Sequence, residues 1–389
     1  MKKIRKEIID TLKDDKEVVL AVVTNYGYAL QDASEHLKND KEVVLAAVKN
    51  YGYALHYALD RFRDDKEVVL AAVKSNGYVF GYAFNRLRDD KEVVLAAVRG
   101  HGSVLLYASN RLRNDKEVVL AAVTNYGSAL HYALDRFRDD KEAVIAAVTN
   151  SHHALRYASK RLRDDKEVVL ALVTNYGYAL QDASKHFQDD KEVVLAAVKN
   201  SGYALQDASQ RLQDDKEVVL AAVNNYGYVL EYVSKRLQGD KEVVLAAVKN
   251  NGNALQYASK HFRDDKEVVL AAVEKDAYAF EYVSKRLQDD KEVVSRAYRK
   301  TPSSFKYTSK ELKCNKRFLN QLFESNPGLI FHYCHYSIRK HSDVYLPALK
   351  SRPSACRRFS PNVLLKLDFS SLPLKNLEVI FESFQKRTK

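Results

Sequence analysis

Polar and apolar residues follow one another along this chain with a fixed period of 25 residues. Each block opens on a charged run, as in Asp14-Asp15-Lys16-Glu17, and passes into an apolar one, Val18-Val19-Leu20-Ala21-Val22-Val23. The phrase restarts at Asn39, Asp64, Asp89, Asn114, Asp139, Asp164, Asp189, Asp214, Gly239, Asp264 and Asp289 without a slip in spacing. Self-similarity at so short a period predicts a stack of small units that lean on their neighbours, not a globule around one core.

With the first residue of a block as position 0, that position is Asp, Asn or, once, Gly239, all favoured helix N-caps. Position 3 is Glu in all twelve blocks, which completes a capping box and predicts a helix through the apolar run. That run is apolar on every side, so the first helix is expected to be buried all round. A short buried strand is the competing reading, since Val-Val-Leu suits strands; the capping signal and the Ala46-Ala47 pair favour helix.

Position 13 is usually glycine, as at Gly27, Gly52, Gly77 and Gly102. A left-handed C-cap would explain glycine, but His152, Ala277 and Pro302 occupy the same place. Proline cannot take positive φ and suits a first helical turn, so position 13 is read as opening a second helix. Position 12 is then its N-cap; Asn76, Ser151, Ser201, Asn251, Asp276, Thr301 and Asn326 have suitable chemistry, and Tyr26 does not. The second helix is predicted to turn Leu30, Ala33, Ser34 and Leu37 inward and positions 14, 17, 18 and 21 outward, as Tyr53, His56, Tyr57 and Asp60. Helices of about ten residues are marginal alone. At roughly 8–10 Å between helices, twelve blocks would give a rod or superhelix on the order of 100 Å. The fold class read from the pattern is therefore an all-α solenoid of paired helices.

The outward face carries a tyrosine ladder at position 18: Tyr57, Tyr82, Tyr107, Tyr132 and Tyr157, then Tyr232, Tyr257, Tyr282 and Tyr307, interrupted by Asp32, Asp182 and Asp207. Two readings stand side by side. The tyrosines form a strip of partner contacts, or each packs on the next block's tyrosine and shields basic stems; the structural reading carries more weight. A second ladder, Arg61, Arg86, Arg111, Arg136 and Arg161, combines with the tyrosines into a surface of the kind that binds single-stranded nucleic acid. Asp65, Asp90 and their equivalents lie just beyond and neutralise it, so solvated ion pairs are preferred there.

The phrase from Glu42 to Phe62, Glu-Val-Val-Leu-Ala-Ala-Val-Lys-Asn-Tyr-Gly-Tyr-Ala-Leu-His-Tyr-Ala-Leu-Asp-Arg-Phe, resembles the repeat family called domain of unknown function 4116. The resemblance covers roughly residues 1–313, and weakly to about 360. It implies short paired helices in tandem, brings no catalytic residue, and is similar to arrays found in intracellular pathogens, amoebae, protists and large DNA viruses. A secreted effector of an intracellular bacterium, translocated into a host cell and acting on host proteins, is one expectation of that analogy.

Composition narrows the rest. Hydrophobic residues at 46% and charged ones at 29% exclude a disordered chain. No apolar run is long enough to span a membrane, and the charged start Met1-Lys2-Lys3-Ile4-Arg5 lacks a Sec-type apolar region. Three cysteines, all in the tail, fit the cytoplasm or another reducing compartment. The net charge of +12 is uneven: residues 301–389 hold 16 Lys/Arg against 6 Asp/Glu, and the remainder 47 against 45. An acidic partner would therefore meet the tail first, at Arg357, Arg358, Lys386 and Arg387. His332, Cys334 and His335 lack the second pair that a zinc finger needs, so no metal is expected, and no catalytic or cofactor motif stands out. The expected organisation is a half-repeat cap at 1–13, where Lys6 to Leu12 resembles a truncated second helix, twelve repeats over 14–313, and a divergent basic helical region over 314–389. In that region Cys314 to Leu319 opens a further block in register, Asp343 to Lys350 echoes it, and a last helix is expected near Leu374 to Gln385. The functional expectation is a monomeric, non-enzymatic scaffold that binds a protein through its outer face, the tyrosines at 57, 82, 107, 132, 157, 232, 257 and 282 included. Nucleic-acid or acidic-surface binding by the tail is the alternative.

Overall fold

The computed structural model describes residues 12–323, 346, 349–350, 353, 369–370 and 372–388, and no strand occurs among them. The fold is all-α and repetitive. Contacts divide the chain into two units, Met1–Phe187 and Gln188–Lys389. In the first, ten-residue helices span Lys16–Asn25, Lys41–Asn50, Lys66–Ser75, Lys91–Gly100, Lys116–Asn125, Lys141–Asn150 and Lys166–Asn175. In the second they span Lys191–Asn200, Lys216–Asn225, Lys241–Asn250, Lys266–Lys275 and Lys291–Lys300, and Lys316–Phe323 follows in register. Within each unit, successive helices pack side by side.

The helix is chosen over the strand, but its cap lies one residue later than the sequence suggested. Asp40, not Asn39, has the extended backbone of an N-cap, and its Oδ1 accepts from the amides of Glu42 (2.9 Å) and Val43 (3.2 Å). Every full repeat has aspartate there. Only an acceptor two and three residues ahead of those amides can reach them. Burial is nearly as broad as expected: Val43, Val44, Ala47 and Val48 are fully enclosed, and Leu45 and Ala46 half so.

The second half of each repeat departs from the prediction. It is not one helix. A 3-10 segment such as Gly27–Asp32 stops at Ala33, which is extended (φ −66°, ψ 158°), and a short closing turn follows, as at Leu37–Asn39. Position 13 does open this segment, and no glycine among the described residues has positive φ. Its glycine serves close approach instead: a Cβ on Gly52 would stand 2.6 Å from the Ala72 carbonyl oxygen of the next repeat. Asn76, Asn251 and Asp276 cap the segment with their side chains, whereas Ser151, Ser201 and Thr301 do not; Asn326 lies outside the described residues.

Serine at position 20 is one reason for the break. Ser159, Ser209 and Ser309 cap the closing turn with their hydroxyls, which competes with continuing a helix. The same hydroxyl donates to the position-0 aspartate of its own repeat, as from Ser184 to Asp164 (2.9 Å). Ser34 is therefore half-exposed rather than inward, while Leu30, Ala33 and Leu37 are buried as predicted. The amide at position 20 bonds the carbonyl just ahead of the repeat in most repeats, as from Ser109 to Arg88 (2.9 Å), so these repeats close on their own start.

Two sets of polar contacts join neighbours. At the N-terminal edge, the Lys66 Nζ lies 2.8 Å from Asp90 and 2.9 Å from Glu92 of the next repeat, a pattern recurring from Lys16 to Lys141 in the first unit and from Lys191 to Lys266 in the second. At the other edge, the Asn125 Oδ1 accepts from the Gly102 amide (2.7 Å) and its Nδ2 donates to the Arg99 carbonyl (3.1 Å). Asp215 combines capping with bridging, since it accepts from Glu217, Val218 and the Lys191 ammonium. The Asp215→Ala variant is expected to lose about 1–2 kcal/mol in urea denaturation. Asp215→Asn, which keeps an acceptor at the cap, should lose less; equal losses would remove the cap as the cause.

Candidate interaction surface

The position-18 tyrosines sit at the end of the 3-10 segment, where the side chain faces away from the buried Ala and Leu at positions 15 and 16. Tyr57, Tyr132 and Tyr157 in the first unit and Tyr232, Tyr257, Tyr282 and Tyr307 in the second are half-buried; Tyr82 and Tyr107 are more open, at 38% and 40%. Where ring contacts are made across repeats, they lean on positions 14 and 17 of the repeat before. Tyr82 lies 6.5 Å from Tyr53 and 5.3 Å from His56, Tyr157 4.9 Å from His131, and Tyr257 5.1 Å from Tyr228. Burial, then the Tyr228 hydroxyl, push the Tyr257 phenol well above its ordinary range. Tyr203 is pushed up to about 12, first by its hydrogen bond with Tyr226 and then by burial. Both stay protonated at neutral pH and present a neutral surface.

The most exposed rings of the repeats are at position 12, predicted as a cap, and position 14, predicted to face outward. Tyr26 is 59% exposed, Tyr28 52%, Tyr78 51% and Tyr278 50%. They pair locally, Tyr51 with Tyr53 (5.8 Å) and Tyr203 with Tyr226 (4.4 Å). The signal was present: a tyrosine where a cap belongs gains nothing for the backbone.

The arginine ladder faces its own repeat. Arg86 Nε donates to Asp64 Oδ1 (3.1 Å) and its Nη2 to the Asp64 carbonyl (2.6 Å); Arg111 and Arg161 do the same to Asp89 and Asp139. Arg61 and Arg136 meet Asn39 and Asn114, so only the backbone carbonyl accepts. The partners are thus the position-0 residues, not Asp65 or Asp90, because Asp65 and Asp90 already cap helices and bind lysines. Ser109, then Arg111, hold the Asp89 carboxyl below its ordinary range.

Among the described residues, no cluster of His, Cys, Asp or Glu is arranged to hold a metal ion, and no helix is long and apolar enough to cross a membrane. His332, Cys334, His335, Arg357 and Arg358 lie outside the described residues, as does most of the proposed N-terminal cap. Lys386 and Arg387 fall on the last helix, Leu374–Thr388, which includes the predicted Leu374 to Gln385.

A family model described as Domain of unknown function (DUF4116) matches residues 15–63, 40–88, 65–113, 90–138, 140–188, 190–238, 240–288, 265–313 and 290–339. The chain belongs to this family. Each DUF4116 match spans two consecutive repeats and begins at a capping aspartate, as at Asp15, Asp40 and Asp65. Comparison with curated proteins gives no match, and comparison with solved structures gives none. The DUF4116 assignment carries the repeat architecture and no activity.

Proposed function

We propose that this chain is a non-enzymatic scaffold that binds a protein partner through the outer aromatic face of its repeats. One observation carries the reading: the positions that hold the repeats together barely change, while positions 12, 14 and 17, beside the tyrosine ladder, vary and carry large, half-exposed rings. Rigid amphipathic rings on a neutral, extended face suit protein recognition. The ladder arginines are engaged inside their repeats, which favours a protein over a phosphate backbone as the partner of this face.

The test is affinity capture from nuclease-treated lysate with the full chain and with the Tyr57→Ala, Tyr82→Ala, Tyr107→Ala, Tyr132→Ala quadruple variant. A specific protein held by the wild type is expected to bind the variant at least about tenfold more weakly, since even one interfacial hot spot contributes that much. Circular dichroism checks that the helices persist. Undiminished capture by a folded variant would remove the ladder from the interface.

A further inference from the structure

The repeat beginning at Asp139 breaks the pattern in several places at once. Position 13 is His152 rather than glycine, position 14 is His153, and position 17 is Arg156. In the next repeat the ladder tyrosine is replaced by Asp182. Elsewhere that tyrosine packs over positions 14 and 17 of the preceding repeat, as Tyr157 does on His131 (4.9 Å). Here the shorter aspartate leaves the space open. The result is a cavity of about 190 Å3 lined by His152, His153, Leu155, Arg156, Arg163 and Asp182. It adjoins a wider cleft of about 800 Å3 that shares Arg163 and Asp182 and adds Lys160.

Arg163 is the second, independent sign. At this position Arg63, Arg88, Arg138 and Arg263 turn back and donate to the position-17 carbonyl of their own repeat, at 2.6 Å from Arg88 to Gly81 and 2.8 Å from Arg138 to His131. Those four are half-buried. Arg163 makes no such bond, is exposed, and lines both openings. Beside it, Arg156 lies 3.2 Å from His153 Nδ1, and Tyr178 and His152 hold each other at 3.0 Å. Burial, then His153, keep the His152 pKa below its ordinary value. Apart from the histidines, and from Arg161, which Asp139 holds, the lining carries Arg156, Lys160 and Arg163 against Asp164 and Asp182, a surplus of one positive charge.

We propose that this cavity is a binding site for a phosphate dianion, either free or as the terminal group of a small phosphorylated molecule. Two guanidinium groups offer the forked donors that phosphate oxygens accept, and the terminal oxygens of a phosphate can engage both forks, whereas the two oxygens of a carboxylate are filled by one. Asp182 stands ready to accept from a hydroxyl carried next to the phosphate. The site lies where the tyrosine ladder is interrupted, and it stands or falls independently of the protein-binding face.

Isothermal titration of the full chain with inorganic phosphate, glycerol phosphate and acetate tests this. Saturable one-to-one binding of a phosphate probe, with acetate binding at least about tenfold more weakly, is expected. Tighter binding of glycerol phosphate than of inorganic phosphate would identify a phosphorylated molecule as the source; the reverse order would identify free phosphate. Arg163→Gln should weaken binding about tenfold or more, the loss of one charge-assisted pair. Asp182→Tyr rebuilds the ladder and fills the cavity, so it should abolish binding while the helical signal and melting temperature hold. No saturable heat at about 10 mM phosphate, well above the range of a weak millimolar site, would overturn the proposal. Unchanged binding by Asp182→Tyr would overturn it as well.

Discussion

The Phe280→Ala variant is expected to lose about 3–5 kcal/mol of stability, the cost of removing a fully buried aromatic ring whose surroundings cannot close over the gap. Phe280 has no exposed surface, and its segment Ala277–Tyr282 packs against both Lys266–Lys275 and Lys291–Lys300. Stability in a stack is close to a sum of repeats and their shared interfaces, so a hole here weakens two interfaces as well as one repeat. Denaturant unfolding followed by circular dichroism should show an earlier transition for the variant. Phe280→Leu is the internal control. Leucine fills the same position at Leu205, Leu230 and Leu255, so the repeat geometry accepts it, and its cost should stay below about 1.5 kcal/mol. Equal losses for the two variants would mean that the ring does not support the stack.

Acid is expected to unfold the array far more readily than the same shift into alkali. The Lys66 ammonium and the Val93 and Glu92 amides outweigh the desolvation that would raise Asp90, and hold its carboxyl below the ordinary value. The same net lowering recurs at Asp40, Asp65, Asp115, Asp165, Asp215, Asp240, Asp265 and Asp290. A carboxyl depressed in the folded state contributes stability above its unfolded pKa, near 3.8, and loses it as pH falls through the folded value. The lysines run the other way. Asp90, then Glu92, raise Lys66 above 10.5, so its contribution is complete below 10.5 and lost as pH rises through the raised value. Melting temperature should therefore be flat between about pH 5 and 9 and drop on both sides. The acid limb should be steeper, because the aspartates are less exposed than the lysines (24% against 41% for Asp90 and Lys66) and also cap the helices. Each pair alone is weak; repetition makes the effect large. A melting temperature unchanged from pH 6 to about pH 2 would show that these carboxylates do not hold the array.

The 25-residue period, the helical first half and the outward setting of the tyrosines were all legible in the sequence, because each depends on spacing within one repeat. The capping aspartate was misplaced by one residue because Asp-Asp offers two adjacent acceptors, and only the backbone angle separates them. What the sequence could not reveal involves contacts between residues about 20 to 28 positions apart. Ser34 looked like part of an inward stripe until Asp14 and the turn it caps claimed it. Arg86 could not be assigned to Asp64 rather than to Asp65 or Asp90 from order along the chain. The Asn125 bridge to Gly102 and Arg99 belongs to the next repeat's approach, which no single block encodes.

The chain by itself determined that it would be a tandem array of small helical repeats, because local capping and an apolar run at constant spacing suffice for that. Tertiary structure alone decided that the second half of each repeat breaks into a 3-10 segment and a closing turn. It also decided that Asp182 opens a cavity over His153 and Arg156. Helices this short have no stable conformation alone, so their final form is set by what the neighbouring repeat covers and what it leaves open.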